Sequence, residues 1–224
     1  MHAYDGLTRE PMTNVGQLVS DVLAELRAAI LRGDFAPRQR LIEAELVEQY
    51  GTSRFVLRNA LTRLATEGLV ELQPNRGARV REISVEEAIE ITEIRRAVEG
   101  LVAARAAERI SDEEIVSLRA LGEEMTAVVQ TADMLRYSEL NARLHGTVRT
   151  IAGHATAIRI IEQLHGQVVR HQFRLSLVAG RPTVSLPEHL AIIDAVCARD
   201  PKKAERAMRA HLTSVIEALE KFAR

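Results

Sequence analysis

Four side chains with metal-ligating atoms recur through the C-terminal half of the chain. Asn141 and His145 are four residues apart, which places them on one face if the segment is helical, and His189 and His211 follow in "PEHLAIIDAV" and "AMRAHL". An imidazole nitrogen is a metal ligand, a general base or a satisfied core group. With seven His in the chain, spacing alone leaves these readings open. A second set lies in "YGTSRFVLRNALTRLATEGL", Tyr50 to Leu69, where Arg54, Arg58 and Arg63 meet no acidic residue between Glu48 and Glu67. A guanidinium offers a planar fork of donors that grips a phosphate or bridges guanine O6 and N7. On an arbitrary helix, Arg54 and Arg58 would be solvated surface groups.

The surrounding elements decide between these. Leu18, Val22, Leu26 and Ile30, with Val19, Leu23 and Ala29 beside them, form an apolar stripe ending at Gly33 and predict a first helix. "DFAPRQRL" reads as a turn, and Glu43–Tyr50 as a short second helix stopped by Gly51. Ser53 is a candidate N-cap for a third helix that buries Leu57, Ala60, Leu61 and Leu64 and turns Arg54, Phe55, Arg58, Asn59 and Thr62 outward. Two alternating runs flank Pro74-Asn75-Arg76-Gly77, a β-hairpin signal. Three helices and a hairpin make a winged helix-turn-helix, in which the third helix enters a DNA major groove. That setting favours the DNA-facing reading of Arg54 and Arg58, with Arg76 and Gly77 at the wing tip. Asn59 adds an amide able to pair with adenine.

After the cap at Ser84 no strand signal follows. Helices are expected near 85–109, 112–130, 132–152, 155–179, 184–199 and 201–222, giving an all-α second domain. The expected organisation is an arm over residues 1–12, a DNA-binding domain over 13–81 and an effector-binding and dimerisation domain over 82–224. The fold class is mainly α. "REIS" is a linker short enough for each domain to feel the other's motion.

Composition narrows the function classes. The chain has 224 residues, 46% hydrophobic and 27% charged, as in an ordinary globular protein. Only 3% are aromatic and none is Trp, so nucleic-acid contact must rest on arginine and backbone rather than on stacking. One cysteine, Cys197, cannot form an internal disulfide. No signal peptide or membrane-length apolar run is seen, so a cytoplasmic protein with no membrane partner is expected.

The segments "AAILRGDFAP", "GTSRFVLRNALTRLATEGLVELQPNRGARV" and "EIRRAVEGLVAARAA" resemble bacterial transcription factors of the GntR family, FadR-like branch, with a helical FCD-type C-terminal domain. Family members carry SR-T-P-V-R-E-A-L at the recognition helix. Here Phe55, Val56 and Asn59 replace Thr, Pro and Glu, while Ser53, Arg54 and Arg58 remain. Ala44 stands where the family often has Arg, and Pro37-Arg38 where it has Pro-Gly. The resemblance implies DNA contacts at Ser53, Arg54, Arg58, Arg76 and Gly77. It also implies a divalent metal held by Asn141, His145, His189 and His211, with Asn141 in place of the usual Asp. Three imidazoles and one oxygen suit zinc, nickel or cobalt better than magnesium or calcium.

Open metal positions would accept a small organic or sugar acid as effector, with Arg95 paired to its carboxylate. The other reading of Arg95 is an ion pair with Glu99. His154, His165, Arg170, His171 and Arg174 are further pocket candidates. The expected function is a one-component, homodimeric regulator that binds palindromic operator DNA and is switched by its effector. The alternative is a metal-dependent hydrolytic enzyme using the same histidines.

Overall fold

The computed structural model describes residues 15–73, 76–176, 178 and 180–222. The expected N-terminal arm and the hairpin residues Pro74 and Asn75 lie outside them. The chain divides into two compact units between Glu82 and Ile83.

The first unit contains α1 (Val15–Arg32), β1 (Arg40–Leu41), α2 (Glu43–Gln49), α3 (Arg54–Thr66), β2 (Val70–Gln73) and β3 (Gly77–Val80). Its core gathers Leu26 and Ile30 of α1, Leu46 of α2, Leu57, Ala60, Leu61 and Leu64 of α3, and Leu41, Val70, Ala78 and Val80 of the sheet. The predicted α1 stripe holds except at Leu18, which is exposed because the unit's core begins one residue later, at Val19. Ser53 caps α3 by accepting from Val56 N–H at 3.3 Å. This satisfies an orphan donor of the first turn.

The sheet has the order β1-β3-β2, all antiparallel. β1 falls where the sequence reads as turn. Two residues are too few to show a strand period, yet Leu41 is 1% exposed and pairs with Ala78. Gly77 has φ +81, and a Cβ there would lie 2.6 Å from the Leu41 carbonyl oxygen. The close passage of β1 is therefore a structural reason for that glycine. Arg38 takes a left-handed φ of 63, a conformation that disfavours a Cβ.

The second unit is entirely helical among the described residues: α4 (Val85–Arg109), α5 (Asp112–Gln130), α6 (Met134–Ala152), α7 (Ala155–Ser176), α8 (Arg181–Cys197) and α9 (Pro201–Glu220). Side-chain caps start four of them: Ser84 for α4, Ser111 with Glu114 in a full capping box for α5, Asp133 for α6 and Asp200 for α9. α8 begins at Arg181 rather than 184, because Pro182 starts the helix there instead of ending the preceding segment. α4 lies at the centre. Its small residues Ala88, Ala103, Ala106 and Ala107 are fully buried, and Gly100 lets the Arg209 side chain of α9 pack where a Cβ would collide at 2.9 Å. No helix among the described residues is long and apolar enough to cross a membrane.

Candidate functional site

In the second unit three helices deliver one histidine each to a common point: His145 from α6, His189 from α8 and His211 from α9. One ring nitrogen from each lies within 4.8 Å of the others, and all three residues are buried. The hydrogen bonds behind the rings fix which nitrogen is free. His145 Nδ1 is 3.0 Å from Glu99 Oε2 and His211 Nδ1 is 2.9 Å from Glu188 Oε2. A carboxylate accepts, so both Nδ1 atoms carry the proton. Ser185 Oγ donates to the Arg181 carbonyl at 3.1 Å, which leaves it to accept from Tyr137 OH at 2.9 Å. The Tyr137 oxygen in turn accepts from His189 Nδ1 at 2.9 Å. His189 Nε2 therefore keeps its lone pair, and this buried atom has no hydrogen-bond partner.

An unpartnered buried lone pair is costly unless something occupies it. Each ring held by a partner at its far nitrogen is the arrangement of metal-ligating histidines. Burial, with the neighbouring His211, His145 and Arg181 charges, pushes His189 well below the usual imidazole range. Burial likewise lowers His211 despite the opposing Glu188 carboxylate, and raises the Tyr137 hydroxyl to about 12. His189 and His211 are thus neutral, as ligands must be, and the phenol keeps its donor. The donor set fits a divalent transition metal.

The triad lines a cavity of about 200 Å³, shared with Asn141, Arg95, Arg149, His165, Gln172 and Arg181. Asn141 is a turn before His145 on the same wall. Arg95 is only 2% exposed and is paired at 2.7 Å with Glu99, which is equally buried. The expected effector partner is thus already engaged by the carboxylate that holds His145. Burial favours protonation of Glu99, but the Arg95 charge and the His145 contact overcome it and hold the carboxyl well below its usual range.

Of the other pocket candidates, only His165 lines this cavity. His154 Nδ1 accepts from Ala157 N–H at the start of α7, His171 Nε2 donates to the Ile83 carbonyl, and Arg174 stacks over Phe222. Neither Glu99 nor Glu188 is among the described residues that line the cavity; each acts behind a ring. Sequence reasoning missed Glu188, Tyr137 and Ser185, whose roles arise only where different helices meet, and Arg149. Arg149 carried a signal, its i+4 spacing from His145.

In the first unit a groove between α3 and the hairpin is lined by Arg40, Arg54, Arg58, Arg76 and Gly77, with Glu43 as its one acidic lining residue. Ser53, Arg54, Phe55, Arg58, Asn59 and Arg76 are exposed. Arg40, on the unforeseen β1, joins the basic set. Arg58 is 66% exposed at its side chain but pairs with Glu43 at 3.0 Å. Asn59 Nδ2 donates to the Phe55 carbonyl at 2.8 Å, which leaves its oxygen and one N–H outward. Ser53 accepts within its cap and retains a hydroxyl proton to donate.

Comparison with known proteins agrees with this architecture. Residues 18–80 match the family model "Bacterial regulatory proteins, gntR family", and residues 90–214 match the FCD domain. The chain is 30% identical over 214 residues to the HTH-type transcriptional repressor RspR of Escherichia coli (strain K12), covering 95% of this chain and 94% of that one. It is 27% identical over 199 residues to the HTH-type transcriptional repressor GlaR of the same organism, covering 85% and 90%. The solved structure of E. coli McbR/YncC shares the fold at a TM-score of 0.74 and 22% identity, covering 92% of this chain and 99% of that one. RspR and GlaR are both named as transcriptional repressors. The chain belongs to the GntR family of bacterial transcriptional regulators, with an FCD domain as its C-terminal unit.

Proposed function

We propose that this regulator, of the FadR-like branch, binds palindromic operator DNA as a homodimer and is switched by a small carboxylate that completes the coordination of a metal in its FCD domain. His145, His189 and His211 would supply three nitrogen ligands and Asn141 an oxygen. Three nitrogens favour zinc or nickel over magnesium or calcium. The metal, when bound, supplies a Lewis-acid position for a carboxylate oxygen. The observation that carries this reading is the Arg181–Ser185–Tyr137–His189 hydrogen-bond chain, which leaves His189 Nε2 bare and buried among two further imidazoles.

On the DNA side, Arg54 and Arg58 would enter the major groove from α3. Ser53 would donate to a phosphate, Asn59 would present its outward amide edge to a base, and Arg76 would reach the backbone or minor groove with Gly77 beside it. Arg58 would exchange Glu43 for the duplex. An effector need change DNA affinity by only ~1–3 kcal/mol to switch occupancy.

Two measurements test this. Metal analysis and zinc titration of purified protein should give one site per chain, lost in His189→Ala. Binding to duplexes selected from a random library should weaken with salt and weaken further in Arg54→Ala. Absence of any retained transition metal, with His145→Ala as responsive to effectors as the parent, would remove the metal and leave the DNA reading standing.

A further inference from the structure

The cavity wall is unusually one-sided in charge. Among the described residues its lining includes Arg95, Arg149, Arg181 and four histidines, and no aspartate or glutamate. Two of the arginines are already neutralised. Arg95 is paired with Glu99 at 2.7 Å, and Arg181 faces Glu188 at 3.7 Å while donating to Ser214 at 3.0 Å. Arg149 has no side-chain partner among the described residues. It is half-buried, lines the same cavity, and is close enough to His165 for its charge to oppose protonation there.

A half-buried guanidinium without a counter-ion, beside a cavity, calls for an anion. Arg149 follows His145 by four residues on α6, so the two residues share a helix face, with their Cα atoms about 6 Å apart along the axis. A divalent metal on the triad would add two positive charges to the uncompensated one of Arg149. One monocarboxylate cannot balance that field or reach both centres. A short diacid offsets two of those three charges and can reach both centres, with one carboxylate on the metal and the other in the fork of Arg149. The cavity volume of about 200 Å³ is below the range typical of drug-sized ligands. At ~30 Å³ per water it offers room for roughly seven water-sized groups, the bulk of a small diacid.

We infer that Arg149, rather than Arg95, is the effector-specificity residue, and that the effector is a short dicarboxylate whose second carboxylate it binds. This inference rests on the metal-and-acid reading above and narrows it.

The test uses the full-length, zinc-loaded chain and calorimetric titration with malonate, succinate and glutarate, each against the monoacid of equal carbon number (propionate, butyrate, valerate). The readout is the ratio of the two dissociation constants on the same protein. At least one diacid should bind about tenfold or more tightly than its monoacid, the gain of one charge-assisted bidentate contact. The ratio should fall towards unity in Arg149→Gln and recover partly in Arg149→Lys, which keeps the charge but not the fork. Thermal melts of each zinc-loaded variant confirm that folded protein is titrated. If monoacids bind and diacids gain nothing, or if the diacid preference survives Arg149→Gln, Arg149 does not select the ligand, while the metal-and-acid reading stands. If zinc binds but no acid of either class does, that reading falls together with this one.

Discussion

Replacing His165 by Gln should flatten the acid limb of the stability curve of the helical unit. His165 lines the cavity with Arg95 and Arg149 on its wall. With the Gln172 amide oriented to satisfy both neighbours, its oxygen accepts from Arg95 and its nitrogen donates to His165 Nε2 at 2.9 Å. That bond requires Nε2 unprotonated. Protonation would break it and set a cation in a buried site facing Arg95, Arg149 and His145, against which only Glu99 pulls. Burial first, then the Arg95 charge, lowers the group from 6.5 to about 4. Because the folded value is depressed, the unfolded chain binds more protons between pH 6.5 and 4, so this contribution to stability is present at neutral pH and lost as pH falls through that window. At 1.36 kcal/mol per pH unit, the loss is ~1.4 kcal/mol at pH 5.5 and ~2.5 kcal/mol at pH 4.5, approaching ~3 kcal/mol below pH 4. Urea unfolding of parent and His165→Gln in chelator, followed by far-UV circular dichroism, measures the difference with metal linkage removed. The stability of the parent minus that of the variant should fall by ~2.5 kcal/mol as pH falls from 7 to 4.5. Curves that stay parallel would show that His165 titrates normally and that the cavity wall is not the electropositive surface described.

Three further outcomes follow. Arg58→Ala should weaken operator binding more than loss of one phosphate contact, because it leaves Glu43, 3.0 Å from Arg58 Nε in the parent, facing the duplex. Adding Glu43→Ala should restore part of the affinity in anisotropy titrations and leave a salt slope lower by about one. Glu99→Gln should lower zinc affinity about 10- to 100-fold in competition with a fluorescent chelator, since Glu99 accepts from His145 and neutralises Arg95. Arg38→Gly should raise the stability of the winged unit by ~0.5–1 kcal/mol in urea melts. It relieves a left-handed Arg at the sacrifice of an Arg38–Glu82 ion pair whose side chains are 72% and 45% exposed, a pair of small value in water.

The helices were legible because each carries its own local pattern: an apolar face at Leu57, Ala60, Leu61 and Leu64, or a cap at Ser53, Ser84 or Ser111. β1 was not, since its pairing with Ala78 and Arg79 is decided nearly forty residues away. Gly77 illustrates the same limit. Its turn was readable, whereas the Leu41 carbonyl that forbids a side chain there was not. The positions of the three histidines followed from family likeness, but the choice of nitrogen did not. That choice depends on Glu99 from α4, Tyr137 from α6 and Glu188 from α8, each contributed by a different helix.

Arg95 shows how burial reassigns a residue without changing its chemistry. Its spacing from Glu99 allowed a surface ion pair or a free effector anchor. At 2% exposure for both residues the pair is buried rather than on the surface, and leaving one charge unpaired there would cost about 3–5 kcal/mol, so Arg95 enters any ligand contact with Glu99 already beside it. Its function then passes through Glu99, whose charged form depends on Arg95 and whose oxygen fixes the tautomer of His145. The same accounting isolates Arg149, which shares the cavity but lacks the built-in carboxylate. A fold that supplies counter-ions to two of the three arginines on this wall leaves the third to be satisfied from solution, and that vacancy in the charge balance is what the proposed acid would fill.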